Sequence, residues 1–256
     1  MSVPRCVAWF SCGSASAVAS MLAVEKYGDN CEIVYCDLLS SEHPDNLRFL
    51  QDVQRWLGRT VTRIASSDYA SVDEVFERTR YMAGINGARC TTEMKKIPRF
   101  RFQRPDDIHV FGLTADEEPR IHRMSVNNPE LVFDWLLRDK PMTKKACLRM
   151  IEQAGIELPT MYKLGYRNNN CIGCVKATSA RYWKMIRLDF PEVFERRARQ
   201  SAAIGARLAR ERGERVFLHE LRTDITLFDG PMESISCGPD CGDVIDPSTR
   251  SGGGDK

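Results

Sequence analysis

No stretch of this chain is apolar for long enough to cross a bilayer, so no membrane partner is expected. The first ten residues, MSVPRCVAWF, lack the long apolar region and cleavage site of a signal peptide. A cytoplasmic protein is therefore expected. Charge of one sign is also missing: the net charge is only +2 over 256 residues, which excludes polyanion binding by bulk electrostatics. Two phosphate-binding signatures are absent as well. The turn FSCGSASAV (10–18) has neither the lysine of a Walker motif nor the second and third glycines of a dinucleotide fingerprint.

What the chain does have is an alternating first half. Cys6–Phe10, 31–37, 61–66, 108–115 and 131–137 read as five strands. Helices are expected over Ser16–Tyr27, 44–58 and 72–82, with Gly28 and Gly58 as stops. Strands separated by helices pair in parallel through right-handed crossovers. The expected fold is α/β: a doubly wound, mostly parallel five-stranded sheet with helices on both faces and a helical C-terminal extension. Residues 1–142 would form a nucleotide-binding core. Residues 143–241 would form a cysteine-rich helical extension packed on it, and 242–256 a disordered tail. In such folds ligands sit at the C-terminal ends of the strands.

The turn after the first strand opens a helix, and a helix start presents unused N–H groups and partial positive charge. Gly13 permits close approach, and Ser11, Ser14 and Ser16 carry hydroxyls. Both a phosphate cradle and a tight turn with a serine N-cap fit this pattern. Other strand-end loops add polar groups: Asp37, Glu42 and His43 after the second strand, and Glu117, Arg120 and Arg123 after the fourth. Cys90, Lys95 and Pro98 lie between the third and fourth strands.

Ten cysteines are many for a chain expected to stay reduced, so metal or redox chemistry is the leading account of any that cluster. Cys171 and Cys174 form a C-x-x-C turn, a spacing that puts two thiolates on one metal or cluster. Cys90 would be a third ligand and Cys237 or Cys241 a fourth. The remaining late cysteine would be left for nucleophilic work. An iron–sulfur cluster, a four-thiolate zinc site and unligated buried thiols are the alternatives. Cys6, Cys31, Cys36 and Cys147 sit in apolar contexts and read as core thiols, and Cys12 is ambiguous.

In the order of these segments the chain resembles the phosphoadenylyl-sulfate (PAPS) reductase family of the adenine-nucleotide alpha-hydrolase-like superfamily. Ser11-Cys12-Gly13-Ser14-Ala15-Ser16 stands where that family has Ser-Gly-Gly-x-Asp-Ser. Asp37 and Glu42 match its Asp-Thr-Gly-x-Glu segment. Cys90, Lys95 and Pro98 match its Cys–Lys–Pro segment, and Gly112, Glu117 and Arg120 its Gly…Glu…Arg loop. RNNNCIGCVK and DFPEVFE resemble the stand-alone reductase-like proteins of phages, plasmids and type IV CRISPR loci. The resemblance implies an adenine nucleotide or adenylyl-sulfate substrate held by Ser11, Gly13, Ser14, Ser16, Asp37, Glu42, Glu117, Arg120 and Arg123. It implies a 4Fe–4S cluster on Cys90, Cys171, Cys174 and Cys237. Lys95, Cys237 and Cys241 are the implied catalytic residues, with a thioredoxin-like partner as reductant. Ala15 replaces the acidic residue that assists ATP-activating relatives.

Seven arginines between Arg196 and Arg215 read either as a solvated helix face or as a surface for RNA or DNA backbone. The second reading would make the protein one that adds sulfur to, or removes it from, a nucleic acid or nucleobase. A third reading is an accessory binding protein of a mobile-element system. Tyr162 and Tyr166, just before the C-x-x-C, are expected either to stack on a base or to pack over the thiol loop.

Overall fold

The computed structural model describes residues 4–84, 87–226, 229–232 and 235. Cys237, Cys241 and the tail 242–256 lie outside the described residues.

Five parallel strands form the central sheet: β1 (Cys6–Phe10), β2 (Cys31–Cys36), β3 (Val61–Ile64), β4 (Ile108–Phe111) and β5 (Val132–Phe133). Their order is β3-β2-β1-β4-β5, so the winding reverses between β1 and β4. That reversal leaves a crevice at the C-terminal ends of β1 and β4, where doubly wound folds bind ligands. Both faces of the strands are covered, which is why β1 reads as an unbroken apolar run instead of alternating.

One face of the sheet, with Ala8, Phe10, Ile33 and Tyr35, packs on α1 (Ser14–Tyr27), α2 (Asp45–Leu57) and α6 (Lys144–Gln153). Cys147 and Ile151 of α6 belong to that core, which therefore reaches past residue 142. The other face, with Val7, Trp9, Val34 and Phe111, meets Ile121 and Met124 of α5 (Glu118–Asn127) and Phe102. Phe102 ends a helical segment, α4, running over 89–102. It is α-helical at Arg89–Thr91, π-helical over Thr92–Lys96 and α-helical again at Ile97–Phe102. A further core gathers Val75 and Phe76 of α3 (Val72–Thr79), Trp183 and Ile186 of α7 (Ala180–Asp189), and Phe194 of α8 (Pro191–Ile204).

Several boundaries differ from the sequence reading. The fifth strand stops at Phe133, because Asp134 turns to the Lys26 ammonium and the Tyr27 hydroxyl of α1, and a short helical turn begins at Leu136. The helix expected to run to residue 82 ends at Thr79, with Arg80 in the left-handed region at φ 52°. The arginine-rich stretch is not one helix. Gly205, at φ 82°, ends α8, and Ala209–Glu211 then pairs antiparallel with Glu214–Val216. Arg197 is buried against Asp73 and Phe76, and Arg215 donates to the Leu208 carbonyl. The seven arginines therefore do not share one solvated face.

Candidate thiol centre and the glycine–serine turn

Cys90, Cys171 and Cys174 line one cleft, together with Leu38, Thr91, Lys95, Gly173 and Arg197. Its polar and thiol side chains come from three parts of the chain, while Leu38, and Val72 and Phe76 of α3, complete the wall. Cys90 and Thr91 come from the first turn of α4, and Lys95 from its π-helical stretch. The C-x-x-C turn closes over them, and α8 contributes Arg197.

The C-x-x-C turn is held on each side by backbone bonds. Ile172 N–H donates to the Ser41 carbonyl at 2.9 Å, and Cys174 N–H donates to the Tyr182 hydroxyl at 2.9 Å. Gly173 sits at φ +66°, and a Cβ there would lie 2.9 Å from Val193 Cγ1 and 3.3 Å from Arg197 Cγ. Glycine is thus required twice, by conformation and by contact. Arg197 Nε donates to the Gly173 carbonyl at 3.3 Å, and the guanidinium pairs with Asp73. Burial alone would raise the Asp73 carboxyl, but the Arg197 charge and hydrogen bond overcome it and hold it below the usual carboxylate range. Among the described residues, no three His, Cys, Asp or Glu side chains form a closed ligating group. The thiols are neighbours around a cleft.

The Asn-rich loop before Cys171 has two separate tasks that sequence reading missed. Asn169 donates to the Cys12 carbonyl and to Asn46 Oδ1, both at 2.7 Å. Asn168 and Asn170 grip one residue of the C-terminal segment: Ile235 N–H donates to Asn168 Oδ1 at 3.1 Å, and Asn170 Nδ2 donates to the Ile235 carbonyl at 2.8 Å. Ile235 and Cys171 also line a second, smaller cavity with Tyr166 and Tyr182. One loop therefore joins the turn after β1, the thiol cleft and the C-terminal segment.

The turn itself is internally braced. Ser11 donates to Ser16 Oγ through its N–H at 3.0 Å and its hydroxyl at 3.1 Å, and Ser16 Oγ donates to the Gly13 carbonyl at 2.9 Å. Cys12 is fully buried at φ 54°, a conformation that costs a non-glycine residue about 1–2 kcal/mol. Ser14 N–H, at the start of α1, donates to the Tyr162 hydroxyl at 3.3 Å. The group a phosphate would take is occupied by a phenol from the extension. Burial pushes the Tyr162 pKa up, so the phenol stays protonated. Lys144 lies over that ring at 5.6 Å and reaches the Arg167 carbonyl. Ser14 Oγ is buried beside the same Tyr162 hydroxyl.

Most of the other residues proposed for binding have local work. Asp37 accepts from Leu39 N–H and pairs with Arg63. Glu42 is buried and accepts from the Tyr35 hydroxyl at 2.8 Å and Asn46 Nδ2 at 2.7 Å. Glu117 accepts from Thr114 N–H and hydroxyl and pairs with Arg120 at 2.7 Å. Arg123 is exposed on α5. Gly112 serves packing, since a Cβ there would lie 2.5 Å from Ser16 N. Cys6, Cys31, Cys36 and Cys147 are buried. Tyr166 packs edge-on against Tyr182, its centroid 5.8 Å away.

No protein-family model matches the chain, and neither does any curated protein.

Proposed function

We propose that the chain is an iron–sulfur enzyme resembling PAPS and adenylyl-sulfate reductases, carrying out cysteine-dependent sulfur transfer or reduction on an adenylyl anion. One observation carries this reading: Cys90, Cys171 and Cys174, far apart in sequence, line a single cleft beside Lys95 and Arg197. An all-thiolate donor set suits a 4Fe–4S cluster or zinc. The two cations suit it further, because several thiolates in a partly buried space need compensating charge.

Four ligands are needed, and the described residues contribute three of them. Asn168 and Asn170 hold Ile235 beside Cys171. Cys237 follows two residues later in the sequence, outside the described residues, and is the residue the resemblance offers as fourth ligand or as nucleophile.

A bound cluster would supply electron-rich sulfur and net charge beside the substrate. The remaining work belongs to the chain. Lys95 is one of the residues lining the cleft, and a cation at that position would neutralise a sulfate or phosphate oxygen. Cations beside a thiolate favour its ionised, nucleophilic form. In the reaction that the resemblance implies, the thiolate bonds to the sulfur of an adenylyl-sulfate. The bond from that sulfur to the nucleotide phosphate breaks, and a thioredoxin-like dithiol then releases sulfite as it becomes a disulfide.

The test is anaerobic purification with iron and sulfide counts and a visible spectrum. Broad absorbance near roughly 400 nm, characteristic of thiolate-bound clusters, is expected, and Cys171→Ser or Cys174→Ser should abolish it. A colourless protein with one zinc per chain overturns the cluster.

A second reading draws on Tyr162. Its hydroxyl fills the anion position on Ser14 N–H, and Ala15 stands where the family has an acid. Both favour an accessory protein whose nucleotide site is closed. Titration with AMP and adenylyl-sulfate separates the two readings. Saturable binding by the native chain supports the enzyme. Binding that emerges only in Tyr162→Phe supports the closed site.

A further inference from the structure

Two buried cysteines that this function does not use face each other at the opposite edge of the sheet. Cys6 is the first residue of β1 and Cys31 the first residue of β2. The two are register partners in neighbouring parallel strands. Adjacent strands lie about 4.8 Å apart, inside the Cα separation of about 4.4–6.8 Å that a disulfide accepts. Register partners point to the same face, and both thiols belong to the core shared with α1 and α2. A disulfide also needs the Cβ atoms near about 4 Å. That asks for a small inward movement, which falls on Cys31: it is paired only with Cys6, whereas Cys6 is also paired with Ile108 of β4.

The pair is asymmetric. Cys6 is fully enclosed, whereas Cys31 retains 9% of its surface. The two thiols influence each other's ionisation; at Cys31 burial opposes the thiolate and the Arg59 charge favours it. Solvent contact falls on Cys31, and the enclosed Cys6 thiol lies behind it. That is the arrangement of an attacking and a resolving cysteine.

We propose that Cys6 and Cys31 form an oxidation site, converted by peroxide into a disulfide across β1 and β2. The Cys31 thiolate attacks one peroxide oxygen and the O–O bond breaks. Hydroxide leaves, and Cys31 becomes a sulfenic acid. The Cys6 sulfur then attacks Cys31 sulfur, and the S–O bond breaks. Water departs with the Cys6 proton. The two sulfurs lose two electrons, and peroxide gains them. The inference is independent of the cluster, because Cys90, Cys171 and Cys174 line a cleft to which neither residue contributes.

The experiment uses the whole chain, purified reduced, exposed to a few equivalents of hydrogen peroxide, alkylated and digested with trypsin. Cleavage after Arg5, Lys26 and Arg48 releases residues 6–26 and 27–48. The expected product is these two peptides joined, lighter by two hydrogens, with fragmentation placing the link at Cys6 and Cys31. In Cys6→Ser the resolving thiol is gone, and dimedone should then label Cys31. Failure of the native chain to form the link overturns the proposal. So does a link through Cys12 or Cys36, or one between two chains. Iron, sulfide and zinc counts on the same sample report the thiol cleft separately.

Discussion

Replacing Gly173 with alanine tests the packing of the Cys-x-x-Cys turn against α8. Two costs add. Gly173 lies at φ +66°, and an L side chain in the left-handed region costs about 1–2 kcal/mol. The new methyl would sit 2.9 Å from Val193 Cγ1 and 3.3 Å from Arg197 Cγ. Val193 is a stiff, β-branched residue on a helix, and Arg197 is held by Asp73 and by the Gly173 carbonyl, so neither gives way easily. Overpacking of this kind costs about 1–3 kcal/mol. The total is about 2–5 kcal/mol, read as a lower midpoint in guanidinium unfolding at constant slope. Gly205→Ala is the control. Gly205 has φ +82° with nothing within 4 Å of a Cβ, so only the conformational part, about 1–2 kcal/mol, applies. The difference between the variants isolates the contact with α8. Equal losses would refute the packing argument. The same shift should lower metal retained per chain in Gly173→Ala and leave it unchanged in Gly205→Ala.

Asn169→Ala leaves two buried acceptors, the Cys12 carbonyl and Asn46 Oδ1, without their donor; a loss of about 1–3 kcal/mol in urea unfolding is expected, and a change under about 0.5 kcal/mol would refute the anchoring role. His109 is fully buried, with Nδ1 accepting from Trp9 Nε1 at 3.0 Å, and burial, with the Arg99 charge second, pulls its pKa down to about 4. An unfolded histidine titrates near about 6.5, so between those values the unfolded chain takes up a proton that the folded one refuses. This contribution is fully present above that range and falls as pH drops through it, by about 3 kcal/mol in total. Unfolding midpoints between pH 7 and 4 check this, and a slope unchanged in His109→Gln would refute it.

The central sheet was legible because parallel strands buried on both faces leave continuous apolar runs, and Gly28 and Gly58 marked the helix ends. The fifth strand was over-read for a physical reason. Val132 to Leu137 is apolar enough for a strand, yet Asp134 is drawn to Lys26 and Tyr27, residues over a hundred positions earlier. The arginine stretch was over-read because helical propensity continues past Gly205, and only the left-handed stop breaks it. At the site, the C-x-x-C spacing announced itself. The occupation of Ser14 N–H by Tyr162 did not, since a tyrosine carries no sign of which backbone group it will meet 148 residues away. The NNN run, too, looked only like a loop. Side-chain amides that hold remote backbone leave no periodic pattern to read.

The pairing of Cys90 with Lys95 has its own local cause. They are five residues apart, and at 3.6 residues per turn that separation turns a helix through about 500°, leaving the two side chains about 140° apart. On a regular helix, Met94 would follow Cys90 onto the cleft side in place of Lys95. The π-helical stretch over Thr92–Lys96 changes the phase: its hydrogen bonds run from residue i+5 to residue i, as from Ile97 N–H to the Thr92 carbonyl. Position 95 then comes round beside position 90, and both line the cleft. Met94 is instead buried with Val75 and Trp183. Single π turns of this kind are frequent at functional sites. Here the irregular turn sets a cation beside a thiol, and no reading of the sequence at a regular helical period would have brought the two together.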